Sequence, residues 1–451
     1  MLEVFFAAED LDFPLYASTV LAGTATKAVS AAKTEEEIDE VEDLNSSASP
    51  REDIYLKGDP EKQKRIFIFF DGTRNEPKSG TNVWRLYDLL KGGTDQIAAI
   101  YVEGVGTVDN PLIGAAFGKA MQNRILRGYD FVVQNYNPRD DIFIFGFSRG
   151  AFQARALAGF LSYSGVPTQL KGNPNYGQKD WDKILELVKD QKDKEYKTKW
   201  KSWTPYQQPL LGETIRKKLK FQVEPVMIEF LGVWDTVPGS SFKSFHECKE
   251  KTGFIKKFTA GKLVPSAGER YKTDSYPPIR TIAHAVSVDE KRKKFWPLLV
   301  CSADIGKDYS VYDEKNTQVH EEWFPGAHSD VGGGYGSNDL PNISLTWMLR
   351  MLNTNYQLAI PFEDEGKAGG LAHWSIADSP LFVTGGCKDR IPGPHAKIHK
   401  SINERKILGM VPILVNGTNL SLPYPITCDE MDKKYMKQIV QGSVAAEKPK
   451  P

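Results

Sequence analysis

The sequence predicts an α/β fold in which a mainly parallel sheet is covered by helices on both faces. Two observations lead to this prediction. Short apolar runs that end in turn residues alternate with segments of helical periodicity, and several of these runs are apolar at every position. Strands that alternate with helices form parallel sheets, and strands without a polar face are buried on both sides.

The predicted strands and helices alternate along the chain. Strands are expected wherever a short apolar run meets turn residues, at 65–73, 99–106, 141–147, 226–235 and 319–326. Helices are expected wherever apolar residues recur at helical spacing, at 82–91, 111–136, 149–163 and 342–357. The pattern of residues 279–295, which includes His284, also indicates an amphipathic helix.

Composition divides the chain into a lead-in, one large domain and an extension. Residues 1–63 include a charged stretch poor in aromatics and predict a flexible lead-in, and 64–360 form the α/β domain. Residues 165–222 and 238–280 are insertions in this domain that follow the ends of predicted strands. They are expected either to form a cap with a basic, aromatic surface or to be solvated insertions without ligand contact. Residues 361–451 are expected to pack on the domain and to end in a disordered tail.

Charge and cysteine content limit the class of protein. Lys plus Arg and Asp plus Glu number 58 each, so no overall field favours nucleic acid. Four widely spaced cysteines argue against a disulfide framework or zinc site and favour a reducing compartment. Without a transmembrane run or a conventional signal peptide, we expect a soluble protein, cytoplasmic or exported by a signal-peptide-independent route.

Ser148 is the candidate nucleophile. It stands in the pentapeptide Gly146-Phe147-Ser148-Arg149-Gly150, after a predicted strand and before a predicted helix. This strand-turn-helix context is the one in which GxSxG forms a nucleophile elbow, and it predicts an α/β-hydrolase-like fold. The alternative is a tight glycine turn whose serine caps a helix.

A nucleophile of this kind needs backbone donors for the developing oxyanion. The amide of Arg149, at the start of the predicted helix, is the first candidate. The second is the turn Asp71-Gly72-Thr73, which follows a predicted buried strand and whose glycine lets backbone amides come close to a ligand. Asp71 can also cap this turn.

The acid and the base are expected later in the chain. Asp235 ends a predicted buried strand and is the candidate acid. Of the seven histidines, His328 follows a strand and enters a glycine-rich loop, so it is the preferred base, with His284 as the alternative. Asp330 is placed to orient either the imidazole or the loop.

Three functions are compatible with these residues. The first is a serine esterase that acts through Ser148, His328 and Asp235 and needs no cofactor or metal. The second is a metal-dependent phosphatase or phosphodiesterase-like enzyme with Asp71, Asp235, His328 and Asp330 as ligands. The third is a non-catalytic binding member of the fold.

Five ordered motifs resemble those of one known family. FFDGTRN, GFSRGAFQARALAG, LGVWDTV, AHAVSVDEKRKKF and WFPGAHSDVGGGY occur in the same order as in the catalytic domains of the type VI secretion lipase effectors of family one, across roughly residues 64–350. The resemblance implies an α/β-hydrolase catalytic domain, Ser148, Asp235 and His328 as its triad, and phospholipase A activity. The expected partner is a phospholipid or other acyl ester at a membrane surface, not a nucleic acid.

Overall fold

The structure is a computed structural model. It describes residues 51–431 except 94, 107–113, 191–198, 201, 239–275, 301–316 and 378–384, and it does not describe the side chains of 114–117. Most of the predicted lead-in, most of the 238–280 insertion and the tail from residue 432 therefore lie outside the described residues.

The central sheet has eight strands in the order β1-β3-β2-β4-β5-β6-β7-β9. Only β1 runs antiparallel to its neighbour, β3, and the other pairs are parallel. A smaller sheet has the order β11-β10-β8. The strands are β1 Glu52–Lys57, β2 Arg65–Phe70, β3 Ile97–Val102, β4 Asp141–Phe147, β5 Ile228–Trp234, β6 Ile279–Ser287, β7 Gln318–Phe324, β8 Ala372–His373, β9 Lys397–Ile398, β10 Met410–Val415 and β11 Thr418–Pro423.

Helices follow most of the parallel strands, as the alternating pattern predicts. The α-helices are α1 Asn82–Lys91, α2 Gly114–Asn135, α3 Arg149–Ser164, α4 Gln178–Lys189, α5 Gly212–Leu219, α6 His328–Gly332, α7 Asp339–Tyr356, α8 Lys400–Leu408 and α9 Cys428–Glu430. Two short 3₁₀ helices span Pro77–Ser79 and Thr168–Leu170. The predicted helix at 82–91 has the bounds of α1.

The two faces of the sheet belong to two separate cores. In β2, Ile66, Ile68 and Phe70 point into a cluster shared with α2 and α3. Phe67 and Phe69 point the other way, into a cluster shared with α1, α7 and the smaller sheet. Since successive side chains of a strand alternate between faces, an uninterrupted apolar strand fills both cores. The observed fold is thus the predicted doubly covered α/β-hydrolase-like sheet.

Residues 52–57 correct the prediction of a flexible lead-in. They form β1, whose six residues pair with β3 along the edge of the sheet. Ile54 and Leu56 stay exposed and Tyr55 is only partly buried against the core, so hydrophobic burial contributes little to the strand. Backbone hydrogen bonds to β3 and a two-pronged contact of Arg127 with Glu52 hold it instead.

The helix predicted for residues 279–295 is also wrong. Its first nine residues form β6, buried between β5 and β7. All of them except Arg280 are buried, which is the pattern of a central strand and not of an amphipathic helix. His284 therefore lies in the middle of the sheet.

The 165–222 insertion is a packed layer where the structure describes it. Trp181, Trp200 and Trp203 are buried in the same core as α2 and α3, and the indole N–H of Trp181 donates to Asp130 at 2.9 Å. These three tryptophans therefore lie in the interior and do not form the expected aromatic surface.

The C-terminal extension corrects the expectation about cysteines. Cys387 and Cys428 form a disulfide that closes a separation of 41 residues, whereas Cys248 and Cys301 lie outside the described residues. Within the part of the chain that is described, no helix combines the length and apolarity needed to cross a bilayer.

Two helical glycines give a test of the packing. A Cβ at Gly150 would lie 2.1 Å from the carbonyl oxygen of Phe70, whereas a Cβ at Gly118 on α2 would meet nothing within 4 Å. We expect Gly150→Ala to lower the free energy of unfolding by about 1–3 kcal/mol because backbone must move. Gly118→Ala should raise it by up to about 1 kcal/mol through helix propensity.

Urea unfolding of the two variants beside the unsubstituted protein measures this difference. Equal stability of the two alanine variants would contradict the described contact between α3 and β2.

Candidate active site

Ser148 lies on a sharp turn between β4 and α3. Its backbone has φ 58° and ψ −122°, a left-handed conformation that a serine adopts only where the surroundings enforce it. Its N–H donates to the carbonyl of Trp234 at 3.0 Å, and its own carbonyl accepts from Val237 at 3.2 Å. The nucleophile candidate is thus fixed to the end of β5 by backbone alone.

The flanking glycines are required by close backbone approach. A Cβ at Gly146 would come within 2.4 Å of the Gly150 carbonyl oxygen. At Gly150 it would also meet the Asp71 carbonyl oxygen at 2.5 Å. The GxSxG spacing therefore serves a three-way contact of β4, α3 and the end of β2, as expected for a nucleophile elbow.

The turn after β2 lies directly against Ser148. A Cβ at Gly72 would be 3.2 Å from the Cβ of Ser148. The N–H of Gly72 is already used, because it donates to the carboxylate of Asp71 at 2.7 Å. The hydroxyl of Thr73 is buried and has no hydrogen-bond partner among the described residues.

Asp71 holds this turn in place. Its carboxylate also accepts from the hydroxyls of Thr81 at 2.6 Å and Tyr101 at 2.7 Å. Burial raises its pKa to about 6, although these hydrogen bonds act in the opposite direction. Asp71 is therefore an internal anchor of the turn and caps it.

His328 and Asp235 form a buried pair. Asp235 directly follows β5 with φ 38°, and its Oδ2 lies 2.5 Å from Nδ1 of His328. Nε2 of His328 is buried and has no hydrogen-bond partner in the described part of the chain, so it forms no bond with Ser148 there. The ring of Phe147, the residue before Ser148, packs on the imidazole at 4.6 Å between centroids.

Burial dominates the electrostatics of this pair. It lowers the pKa of His328 below the ordinary histidine value, although Asp235 acts in the opposite direction. Burial alone would raise the pKa of Asp235, but the charge of Arg390 and the hydrogen bond with His328 outweigh it and the pKa lies well below its usual range. Asp235 is therefore an anion, and a neutral His328 is favoured.

Two residues near the pair were not predicted from the sequence. Arg390 contacts both carboxylate oxygens of Asp235, at 2.6 and 3.1 Å. Glu290 accepts from the backbone N–H of His328 at 3.1 Å and pairs with Arg292 at 2.8 Å. Glu290 falls within a motif of the family resemblance, which was the available signal, whereas nothing local marks Arg390.

His284, the alternative base, lies elsewhere in the network. Its Nδ1 is 2.8 Å from Glu321, and its Nε2 accepts the backbone N–H of Thr236 at 3.1 Å. Both ring nitrogens are therefore occupied in a fully buried side chain. Through Nε2 the imidazole holds Thr236, the residue after Asp235.

Asp330 contacts His373 and not the His328 imidazole. Its carboxylate lies 2.6 Å from Nδ1 of His373 and accepts the N–H of Ala327 at 2.8 Å. Since Ala327 precedes His328, Asp330 orients the loop, which was one of its two expected roles.

The four metal-ligand candidates do not form a ligand set. Asp71, Asp235 and Asp330 each contact different partners, as described above. In the described ranges, no three His, Cys, Asp or Glu side chains converge in a way that could hold a metal ion.

A sequence profile decides the family. The profile of the catalytic domain of Tle1-like phospholipase effectors of type VI secretion matches residues 64–351, more than half of the chain. The chain belongs to this family. Membership in the Tle1-like family confirms the resemblance drawn from the five motifs.

One curated protein is similar to part of this chain. The uncharacterized protein YEL023C of Saccharomyces cerevisiae is 29% identical over 252 residues, which are 51% of this chain and 32% of that protein. The chain thus spans about a third of this curated relative.

Solved structures share little sequence with this Tle1-like chain. An uncharacterized Pseudomonas aeruginosa protein has a TM-score of 0.34 and 16% identity, covering 73% of this chain and 50% of that one. The Tle1 effector bound to the VgrG spike has a TM-score of 0.28 and 18% identity, covering 63% of this chain and 53% of that one. A Thermogutta terrifontis esterase with propionate bound has a TM-score of 0.35 and 12% identity, covering 69% of this chain and 92% of that one. These TM-scores are too low to support a structural argument.

Asp71 gives a pH-dependent test of the anchored turn. A carboxyl whose folded pKa is raised stabilises the fold less as the pH rises from its unfolded to its folded pKa, that is, from about 4 to about 6. We expect the stability of the unsubstituted protein relative to Asp71→Asn to fall by up to about 3 kcal/mol over that range and then to stay level.

Urea unfolding at several pH values between 4 and 8 measures the difference. Parallel stability curves for the two proteins would contradict a raised pKa at Asp71.

Proposed function

We propose that this chain is a serine hydrolase that cleaves the acyl esters of phospholipids. The observation that carries the proposal is the environment of His328. One ring nitrogen is held by Asp235, and the other is buried without a partner in the described part of the chain, behind the residue that precedes Ser148. A base in this state can accept the proton of an approaching nucleophile.

In the proposed reaction, Ser148 attacks the ester carbonyl carbon while Nε2 of His328 takes its hydroxyl proton. Asp235 holds the imidazole through Nδ1 and stabilises the imidazolium that forms. The tetrahedral intermediate then expels the alcohol, which receives that proton, and leaves an acyl group on Ser148. Water, deprotonated by His328, releases the fatty acid and restores the serine.

Two groups are proposed to stabilise the oxyanion. The N–H of Arg149 lies in the first turn of α3, at the positive end of the helix. Thr73 offers its N–H and its buried hydroxyl. Because Gly72 donates to Asp71, we assign it the role of allowing close approach to Ser148 and not that of a donor.

A cluster of positive charge supports an anionic ester as substrate. The pKa of Arg149 is lowered to about 10 by burial and then by the charges of Arg292 and Arg74, so the three guanidinium groups share one electrostatic neighbourhood, in which Glu290 balances one charge by pairing with Arg292. Arg292 lies over the ring of Phe295, which in turn contacts the imidazole of His328. Guanidinium groups bind phosphate oxygens well, and the family contains phospholipase effectors.

A fluorophosphonate probe tests the nucleophile and the base. We expect rapid labelling of the unsubstituted protein, none of Ser148→Ala, and labelling slowed about 10³-fold or more in His328→Gln. His284→Gln is the matched control, since His284 is equally buried and also bonded to a carboxylate. It should lose stability but label near the normal rate per folded molecule.

Two results would contradict this assignment. A folded protein that never labels would remove the serine mechanism. Loss of labelling in His284→Gln together with normal labelling of His328→Gln would reverse the choice of base.

Hydrolysis of two esters tests the substrate. We expect Arg74→Gln to lower kcat/KM on phosphatidylglycerol vesicles about tenfold and to leave the neutral ester p-nitrophenyl butyrate almost unaffected. Lys78→Gln is the matched control, because Lys78 is an exposed cation of the same loop that pairs with Glu76. Ser148-dependent cleavage of the butyrate without any cleavage of the phospholipid would contradict the proposed substrate but not the serine mechanism.

A further inference from the structure

Arg390 makes the most extensive contact with the acid of the proposed triad. Its two terminal nitrogens meet the two oxygens of Asp235 at 2.6 and 3.1 Å. They also donate to the carbonyls of Ser287, at 2.7 Å, and of Phe295. The side chains of Arg390 and Asp235 are almost completely buried. A two-pronged contact of this kind fixes the plane of a carboxylate as well as its position.

The Asp235 carboxylate is consequently held on every side. Besides Arg390 it accepts the backbone N–H of Ser287 at 3.0 Å and contacts Nδ1 of His328 at 2.5 Å. Its rotation would break several of these contacts at once. The oxygen that faces His328 therefore stays in line with the imidazole.

The segment that carries Arg390 is fastened to the same wall of the site. Lys388 N–H donates to the carbonyl of Lys291 at 2.8 Å, and Asp389 pairs with the Lys291 side chain at 2.8 Å. The disulfide of Cys387 with Cys428 lies directly before these residues in the chain. Residues 387–390 lie outside the matched region 64–351, so the family profile does not account for Arg390.

We infer that Arg390 is a positioning residue of the proposed hydrolase, which fixes the carboxylate of Asp235 and offsets its charge so that His328 remains a neutral base. This inference rests on the proposed roles of Asp235 and His328. Arg390 acts on the base through the acid and is not itself a catalytic residue.

The charges around His328 define the expected effect. Asp235 and Glu290 favour the imidazolium, and Arg292 disfavours it. Arg390 lies behind Asp235 and weakens the attraction between that carboxylate and an imidazolium. Removal of its charge should therefore raise the pKa of His328, since Asp235 keeps the Ser287 N–H and remains next to the ring.

NMR titration of the histidine ring signals tests this without any need for activity. Arg390→Met should raise the pKa of His328 by about one unit, a shift typical of one charge removed at short range. His328→Gln identifies the signal. Arg405→Met is the matched control, because Arg405 is an equally buried arginine of the same extension whose guanidinium group donates to the carbonyls of Ala368, Gly370 and Pro412.

Arg390→Lys separates charge from geometry and serves if the methionine variant does not fold. Lysine keeps the charge but not the planar fork, so the pKa of His328 should stay near its normal value while kcat falls about tenfold or more at unchanged KM. A kcat equal to that of the unsubstituted protein would overturn the positioning role.

The inference and the proposed function fail in different ways. An unchanged or lowered His328 pKa in Arg390→Met, or an equal rise in Arg405→Met, overturns the inference even if hydrolysis depends on Ser148. A rise confined to Arg390→Met supports it even if the protein hydrolyses no ester. If the protein is active, the apparent pKa on the acid side of its pH profile of kcat/KM should rise by the same amount in Arg390→Met.

Discussion

The close approach of three backbones at the elbow constrains everything else in the site. The carbonyls of Phe70 and Asp71 leave no room for a Cβ at Gly150, and Gly150 leaves none at Gly146. This contact brings the turn after β2, the end of β4 and the start of α3 together. It forces Ser148 into its left-handed conformation and sets the turn of Asp71 and Thr73 beside it. The side chains of the site are arranged around a fixed backbone.

Buried charge is the second organising feature. Asp235, Glu290, Arg292 and Arg390 form a chain of ions around His328, and Glu290 has its pKa lowered to about 2 because the nearby guanidinium groups outweigh its burial. Such networks add little net stability, because desolvation offsets most of the attraction. Their value here lies in geometry. Asp235 holds the ring of His328, Glu290 holds its backbone N–H, and Arg390 and Arg292 hold these two carboxylates.

Local pattern was enough to predict much of the fold and to choose the residues at the strand ends. The predicted strand and the helix on either side of Ser148 are β4 and α3, and Asp235 directly follows β5, because apolar runs of this length have few other interpretations. Strand β1 could not be predicted in the same way, since backbone pairing and not burial holds it. Strand β6 was mistaken for a helix because its alanines, threonine and histidine mark neither period clearly.

Distance along the chain explains the remaining omissions. Arg390 is 155 residues from Asp235, and the two cysteines of the disulfide are 41 apart. Neither contact leaves a trace in local periodicity, and both depend on how the extension folds back. His284 and His328 were equally difficult to separate, because only the tertiary contacts of each Nε2 distinguish them.

The position of Arg390 affects where a fragment that contains the candidate site can end. A fragment trimmed to the boundaries of the family region would retain Ser148, Asp235 and His328 but leave the Asp235 carboxylate without its cation. An unpaired charge in such a place costs about 3–5 kcal/mol, enough to unfold many domains. For this chain, we therefore expect a stable fragment that contains Asp235 to extend at least through Arg390, past residue 351 where the match to the family ends.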